Sequence, residues 1–395
     1  MSKIFSVYAS NGLHNYVELD LPASDYEMLD LMERLRLEPG KPPYLEILEY
    51  HAFEFLEKCI AELPDVRQLN ALAGKLSEIN ETDVRGMAAF EGLVGMEIRK
   101  KALPISVSRL IDFAHSADCC HVVEDAATDC ELGRFLAGNG FVSEAEKLSD
   151  AAFELLDFGK IGKEHREAEG GVYTSFGYVE PHEDVRHASE TMDFQPRKPA
   201  YAILLNVAAI PLTGPVRQED MLQLRLPAPE GQMREALEKL GAESWRNVAA
   251  SIWDCPIPRL NHTMYLDGEA PQILELSKRL QELDARGELP RYKAILAAMD
   301  CGDIGQAAAL ASVVDEYIFD PAVSSPEDVA MGELCVMTGQ ECAADFAQYV
   351  NLTAFGRSLL ERDHGVITGY GLIERRDGQP VLQEDQAPGL REMEM

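Results

Sequence analysis

The sequence predicts an α+β protein, an elongated tandem of two related modules, each made of small antiparallel sheets with helical subdomains. Three observations lead there. The segment GGVYTSFGYVE, Gly170–Glu180, recurs as HGVITGYGLIE, His364–Glu374, with five of eleven positions identical at a spacing of 194 residues. Further matches keep the same order along the chain: Leu19–Ser24 with Leu224–Pro229 at 205, Leu69–Leu76 with Ile273–Leu280 at 204, His121–Val123 with Tyr317–Phe319 at 196, and Ile161–Lys163 with Phe355–Arg357 at 194. A spacing that only shrinks is what a duplicated unit shows after short losses in loops, and a unit of about 190 residues is far longer than a solenoid repeat. The third observation is that helix-like and strand-like segments do not alternate strictly, which favours α+β over a doubly wound sheet.

The elements follow in order. Ile4–Ala9 and Tyr16–Leu21 read as two strands with Gly12 in the turn, and 202–208 with 221–226 repeat that pair. Ser24-Asp25-Tyr26-Glu27 is a capping box, after which Tyr26, Leu29 and Met32 stand at helical spacing. Leu69, Leu72, Leu76 and Ile79 mark a second amphipathic helix, matched by Leu276, Leu280 and Leu283, and Val107, Leu110, Ile111 and Ala114 mark a third. Asp129 is placed to cap a fourth, running through Leu132 and Phe135 to Gly138. Its counterpart opens at Ser325 with Pro326 at the first helical position. Ser143 to Glu146 reads as another capping box before Phe153, and the repeated glycine-flanked phrase closes each module as a hairpin or strand. These readings place the first module at 1–180, a polar, proline-bounded linker at 181–200, the second module at 201–375 and a disordered acidic tail at 376–395.

Charge narrows the function classes. The chain carries 68 Asp and Glu against 36 Lys and Arg, a formal charge of −32. Residues 1–190 hold 18 basic and 36 acidic side chains and the remainder 18 and 32, so both halves are acidic, at −18 and −14. Such a balance argues against direct binding of nucleic acid or an anionic membrane, and for a basic partner or simple solubility. The N-terminus lacks the apolar core and cleavage site of a secretory signal and no stretch approaches a membrane span, so a cytoplasmic location is expected. The eight cysteines form no CxxC pair and are expected to stay reduced.

Motifs suggesting catalysis fail on spacing. His182 and His187 resemble a zinc-protease pair but stand one residue too far apart, which turns the second about 140° from the first on a helix instead of about 40°. Gly74-Lys75-Leu76-Ser77 lacks the upstream glycine of a phosphate loop. The Asp118-Cys119-Cys120-His121 segment offers ligand types, but adjacent cysteines rarely reach one metal together, and the second module has Val314 to Tyr317 near that place. No enzyme activity, cofactor or metal is expected.

Taken together, the strand pair, the LDLP step, the acidic helices, the Cys-rich acidic segment, and an IGK or FGR followed by GVxTxFG or GVxTxYG resemble the ArdA antirestriction proteins of conjugative and other mobile elements. The resemblance covers nearly the whole chain twice. It implies an acidic, elongated α+β molecule that imitates bent duplex DNA and occupies the DNA site of type I restriction-modification enzymes. That family's proteins are dimers of single modules, so two modules in one chain imply an intramolecular pseudo-dimer. The second module lacks the DCCH segment, which puts equal function of the halves in question.

Duplex DNA presents about one charge per 1.7 Å of axis, so 32 excess charges match roughly 54 Å, on the order of 16 base pairs, if all line one surface. Carboxylates held rigidly at phosphate-like spacing would gain from a groove of Lys and Arg already arranged for DNA. The expected partner-binding carboxylates are Glu27, Asp30, Glu33, Glu124, Asp125, Asp129 and Glu131 in the first module, with Asp315, Glu316, Asp320, Glu327 and Asp328 in the second. Two alternatives remain: a decoy for another DNA-binding defence system such as a CRISPR effector, and an acidic scaffold or adaptor that docks protein partners through apolar patches.

Overall fold

The computed structural model describes residues 2–12, 15–37, 42–60, 64–100, 103–210, 221–265 and 268–381. Helix accounts for 50% of the chain and strand for 18%, and the sheets are small, so the fold is mixed α and β with helices predominating. Chain contacts group it into two units. The first takes residues 1–9, 18–23 and 40–195; the second takes 10–17, 24–39 and 196 onward.

The first unit opens with strands β1 (Phe5–Ser10) and β2 (Tyr16–Leu21), which form a three-stranded sheet with β3 (Tyr44–Glu49) in the order β2-β1-β3. Val17 and Leu21 of β2 are buried while Tyr16, Glu18 and Asp20 between them are exposed, the alternation expected of a sheet with one wet face. Helices α2 (Val66–Thr82), α3 (Val84–Arg99) and α4 (Val107–Ala114) follow. A second sheet pairs β4 (Cys120–Val123), β6 (Gly177–Pro181) and β5 (Val172–Thr174) in the order β4-β6-β5, all antiparallel. Between β4 and β5 run α5 (Asp129–Gly138), the short α6 (Asp150–Phe153) and α7 (Phe158–Glu169).

The second unit takes helix α1 (Asp25–Leu35) from the N-terminal part of the chain. Its main sheet has the order β10-β9-β7-β8, from β7 (Ile203–Ala209), β8 (Leu222–Leu226), β9 (Val248–Asp254) and β10 (Met264–Tyr265). After α8 (Glu230–Leu240), which precedes β9, come α9 (Ala270–Ala285), α10 (Leu289–Ala298) and α11 (Ile304–Leu310). The unit closes with β11 (Tyr317–Asp320), α12 (Pro326–Thr338), α13 (Gln340–Ala347), α14 (Leu352–Asp363), β12 (Val366–Ile367) and β13 (Leu372–Arg375). The last three strands are antiparallel in the order β11-β13-β12, the same strand order as β4-β6-β5.

The glycines of the repeated phrase have defined work. Gly170 ends α7 in the left-handed region at φ 74°. Gly177 (φ 129°) and Gly371 (φ 152°) hold corresponding places, where an added Cβ would meet the carbonyl oxygen of Val123 at 2.3 Å or of Asp320 at 2.4 Å. The glycines of IGK and FGR serve packing: a Cβ on Gly162 would stand 1.9 Å from the Asp129 carbonyl oxygen of α5, and one on Gly356 1.8 Å from that of Pro326 in α12. Each marks a helix pair in backbone contact.

Several elements differ from the sequence reading. Helix α3 is absent from the sequence reading; Met87, Ala88, Ala89, Phe90, Leu93 and Val94 along its middle are all buried. Strand β9 is buried on both faces, so it shows no alternation. Thr128, not Asp129, is the N-cap of α5; its side chain accepts the Glu131 N–H and Asp129 is the first helical residue. Ser143 donates to the Glu144 carboxylate and the helix before Phe153 starts only at Asp150. The segment expected to be a linker is held down over its first half: the Arg186 guanidinium pairs with both oxygens of Asp118, and the Ser189 N–H donates to Asp112 at 2.9 Å. Of the expected tail, residues 382–395 lie outside the described residues. Among the described residues no helix is long and apolar enough to cross a membrane.

Candidate anionic interface

The twelve carboxylates predicted to face a partner fall into three groups. The first is buried or neutralised. Asp30 on α1 is 3% exposed and accepts from the Lys293 ammonium of α10 at 2.8 Å and from the Tyr370 hydroxyl at 2.9 Å. Glu33, one turn further, accepts from the same ammonium at 2.7 Å. Burial alone would lower the pKa of Lys293, but the two carboxylates outweigh it and hold the lysine above its ordinary value. Asp30 and Glu33 are therefore corrected: they anchor α1 in the second unit instead of offering charge to a partner. Asp129 belongs with them. Arg166 grips it at 2.7 and 3.1 Å, the Tyr173 hydroxyl adds a bond at 2.7 Å, and the Arg166 bonds first among causes pull its pKa down.

The second group serves helix starts and neighbouring hydroxyls. Glu27 reaches back to the Ser24 N–H at 2.8 Å, completing the predicted box. Asp328 does the same for Ser325 and also accepts the Ser324 N–H and hydroxyl, both at 2.8 Å. Burial would raise the Asp328 pKa, and these bonds overcome it and bring it below the ordinary value. Glu327 accepts the Thr353 hydroxyl. All three are half-buried.

The third group is exposed. Glu124 and Asp125 follow β4, Asp315 and Glu316 precede β11, and Asp320 ends it, while Glu131 on the first turn of α5 is exposed yet also accepts the Ala127 N–H at 2.9 Å and the Thr128 hydroxyl at 3.0 Å. Two have cationic partners: Glu124 meets Arg85 at 2.5 Å, and Asp315 meets Arg286 at 2.9 Å. Asp125, Glu131, Glu316 and Asp320 have no ion-pair partner among the described residues. Close like charges also leave a trace at this end of the second unit, where Glu374 on β13 has a raised pKa from burial first and then from Asp363 and Asp320 nearby.

A further group escaped the sequence reading although its signal is plain. Residues 294–356, between Lys293 and Arg357, form a run of 63 without a single Lys, Arg or His, and they hold ten Asp and Glu: 300, 303, 315, 316, 320, 327, 328, 333, 341 and 345. Dividing the chain into halves averaged this run away. The run is built into α11, β11, α12 and α13, and seven of its ten carboxylates are exposed. Cations from outside it reach Asp300 (Arg259, 3.5 Å), Asp315 and Glu333 (Arg362, 3.8 Å), while Glu316, Asp320, Glu341 and Asp345 have no ion-pair partner among the described residues.

Gly74 and Lys75 lie inside α2. His182 leaves the end of β6 and stacks on His121 at 4.3 Å between ring centroids, away from His187 at the start of a 3-10 turn. Among the described residues no three His, Cys, Asp or Glu side chains gather to hold a metal ion, and all eight cysteines are free. An open groove of about 430 Å³ in the second unit is lined mainly by Leu226, Met233, Leu237, Trp245 and Leu274, with Glu230, Arg234 and Lys278 beside them. No protein-family model, curated protein or solved structure matches the chain.

Proposed function

We propose that this protein is a stoichiometric inhibitor that imitates duplex DNA and occupies the DNA-binding groove of type I restriction-modification enzymes, acting in the cytoplasm without chemistry of its own. The observation that carries the reading is the cation-free run 294–356, in which the exposed carboxylates at 315, 316, 320, 341 and 345 are fixed on helical turns and a strand. Rigid charge matters because a flexible acidic tail would lose much of its binding energy to ordering, whereas a preformed array does not. The order strand, strand, helix, strand, then three helices, strand, three helices and two strands runs from β1 to β6 and again from β7 to β13, with β10 the one addition. That recurrence supports the tandem-module reading, in which two copies in one chain stand where a dimer would supply two chains.

The test is displacement. The purified chain is titrated into a type I restriction-modification complex bound to labelled duplex DNA, and release at near equimolar amounts is expected. A variant with Asp125, Glu131, Glu316, Asp320, Glu341 and Asp345 changed to Asn or Gln should keep its fold and need at least tenfold more protein for the same release. Unchanged release by this variant, or no release from several such complexes by the parent, overturns the reading.

A further inference from the structure

The hairpin of α12 and α13 carries a second surface of different character. Helix α12 buries only Ala330 and Leu334 and α13 only Ala343, and Gly339 (φ 84°) turns the chain between them. The hairpin lies against α14 through the close contact at Gly356. On α12 Val336 is 83% exposed and Met337 66%, on α13 Phe346 is 52% exposed, and Tyr349 just past it is 84%. Four large apolar side chains this exposed within 14 residues are more than scattered surface residues, and such a concentration marks an interaction surface.

Charge decides what fits it. Glu333, Glu341 and Asp345 lie on the same two helices, all within the run that has no Lys, Arg or His; from outside that run Arg362 lies near Glu333, and Arg36 donates to the Val323 carbonyl ahead of α12. The loops after the corresponding helices α5 and α6 also expose apolar side chains, Phe141 and Leu155, but there Arg134 pairs with Glu154 and lies over Phe158, and Lys147, Lys160 and Lys163 are close in sequence. An anionic lipid surface or a nucleic acid meets like charge at α12–α13. So does a second copy of this chain in a symmetric pairing, which sets the same carboxylates against themselves. A partner with Lys and Arg around an apolar centre gains on both counts.

We propose that the α12–α13 face docks a basic amphipathic helix of a partner protein, seating its apolar stripe on Met337, Phe346 and Tyr349 and its cations on Glu341 and Asp345. The face shares Glu341 and Asp345 with the proposed phosphate mimics and adds an apolar centre, which DNA mimicry does not need. It is tested on the full chain with two labelled 18-residue amphipathic peptides, one of Leu and Lys and one of Leu and Glu, read by fluorescence polarisation. The Leu/Lys peptide should bind and the Leu/Glu peptide should not. Met337→Ser with Tyr349→Ser, both solvent-facing and so neutral to folding, should weaken binding at least tenfold, and Glu341→Gln with Asp345→Asn a few fold. Asp125→Asn with Glu131→Gln in the first unit should leave it unchanged, and a single Trp-detected unfolding transition at the parent midpoint confirms that each second-unit variant is folded. Equal binding of both peptides, insensitivity to the Met337 and Tyr349 changes, or equal loss from the first-unit acids would overturn the proposal. So would a dimer in sedimentation that those two serine changes dissociate, since the face would then be occupied by a second copy.

Discussion

Replacing Lys293 with Met tests the least expected feature of the second unit, the buried anchor that holds α1. Lys293 and Asp30 have side chains only 5% exposed, and the ammonium lies 2.8 Å from Asp30 and 2.7 Å from Glu33. At an effective dielectric of 20, each contact contributes roughly 6 kcal/mol of attraction, and the desolvation of the charges cancels most of the sum. Removing the cation alone leaves that desolvation uncompensated at Asp30, so the expected loss is about 3–5 kcal/mol. Both tryptophans, Trp245 and Trp253, lie in the second unit, so Trp fluorescence in urea reports its unfolding without interference from the first. With a slope of about 2 kcal/mol/M, the midpoint should fall by about 1.5–2.5 M. A triple variant, Lys293→Met with Asp30→Leu and Tyr370→Phe, removes the charges and the hydroxyl together and should recover most of the loss, leaving Glu33 to turn toward water. A single-variant cost below about 1 kcal/mol, or a triple variant no more stable than the single, would refute the account of a desolvated ion cluster.

Other outcomes follow from the same structure. If six exposed carboxylates replace phosphates in a basic groove, affinity for the target should fall about 10³-fold between 50 and 200 mM salt, measured by competition with labelled DNA, and a loss under tenfold would exclude that many contacts. Gly162→Ala and Gly356→Ala each force a Cβ into a backbone carbonyl and should destabilise their own unit by about 1–3 kcal/mol or more, seen as a lowered thermal midpoint and faster proteolysis between α5 and α7 or between α12 and α14. Asp328 has a folded pKa below its unfolded one, so its contribution is complete above the ordinary Asp value of about 3.9 and is lost as pH falls through the folded value. Asp328→Asn should therefore lower stability at pH 7, and the gap from the parent should close in acid; a gap that persists at pH 2 would contradict the assignment.

Much of the architecture was open to local reading because its causes are local. The capping boxes at Ser24 and Ser325, the strand pairs β1–β2 and β7–β8, and the amphipathic helices α2, α4 and α9 each arise from side chains a few residues apart. Strand β9, which has no wet face, left no periodic mark, since burial all round removes the contrast on which periodicity depends. Of the predicted carboxylates, the exposed ones at 124, 125, 131, 315, 316 and 320 kept the character that composition suggests.

What the sequence by itself determined is the charge and its distribution along the chain, the cation-free run from 294 to 356 above all, together with the helix starts and the glycines required where backbones touch. Only the tertiary structure decided which of those charges face water. Asp30 and Glu33 look like any solvated helix acids until Lys293, 263 residues from Asp30, and Tyr370, 340 residues from it, close over them. A carboxylate's availability depends on the dielectric and the counter-charge around it, and both are set by residues that chain distance does not connect.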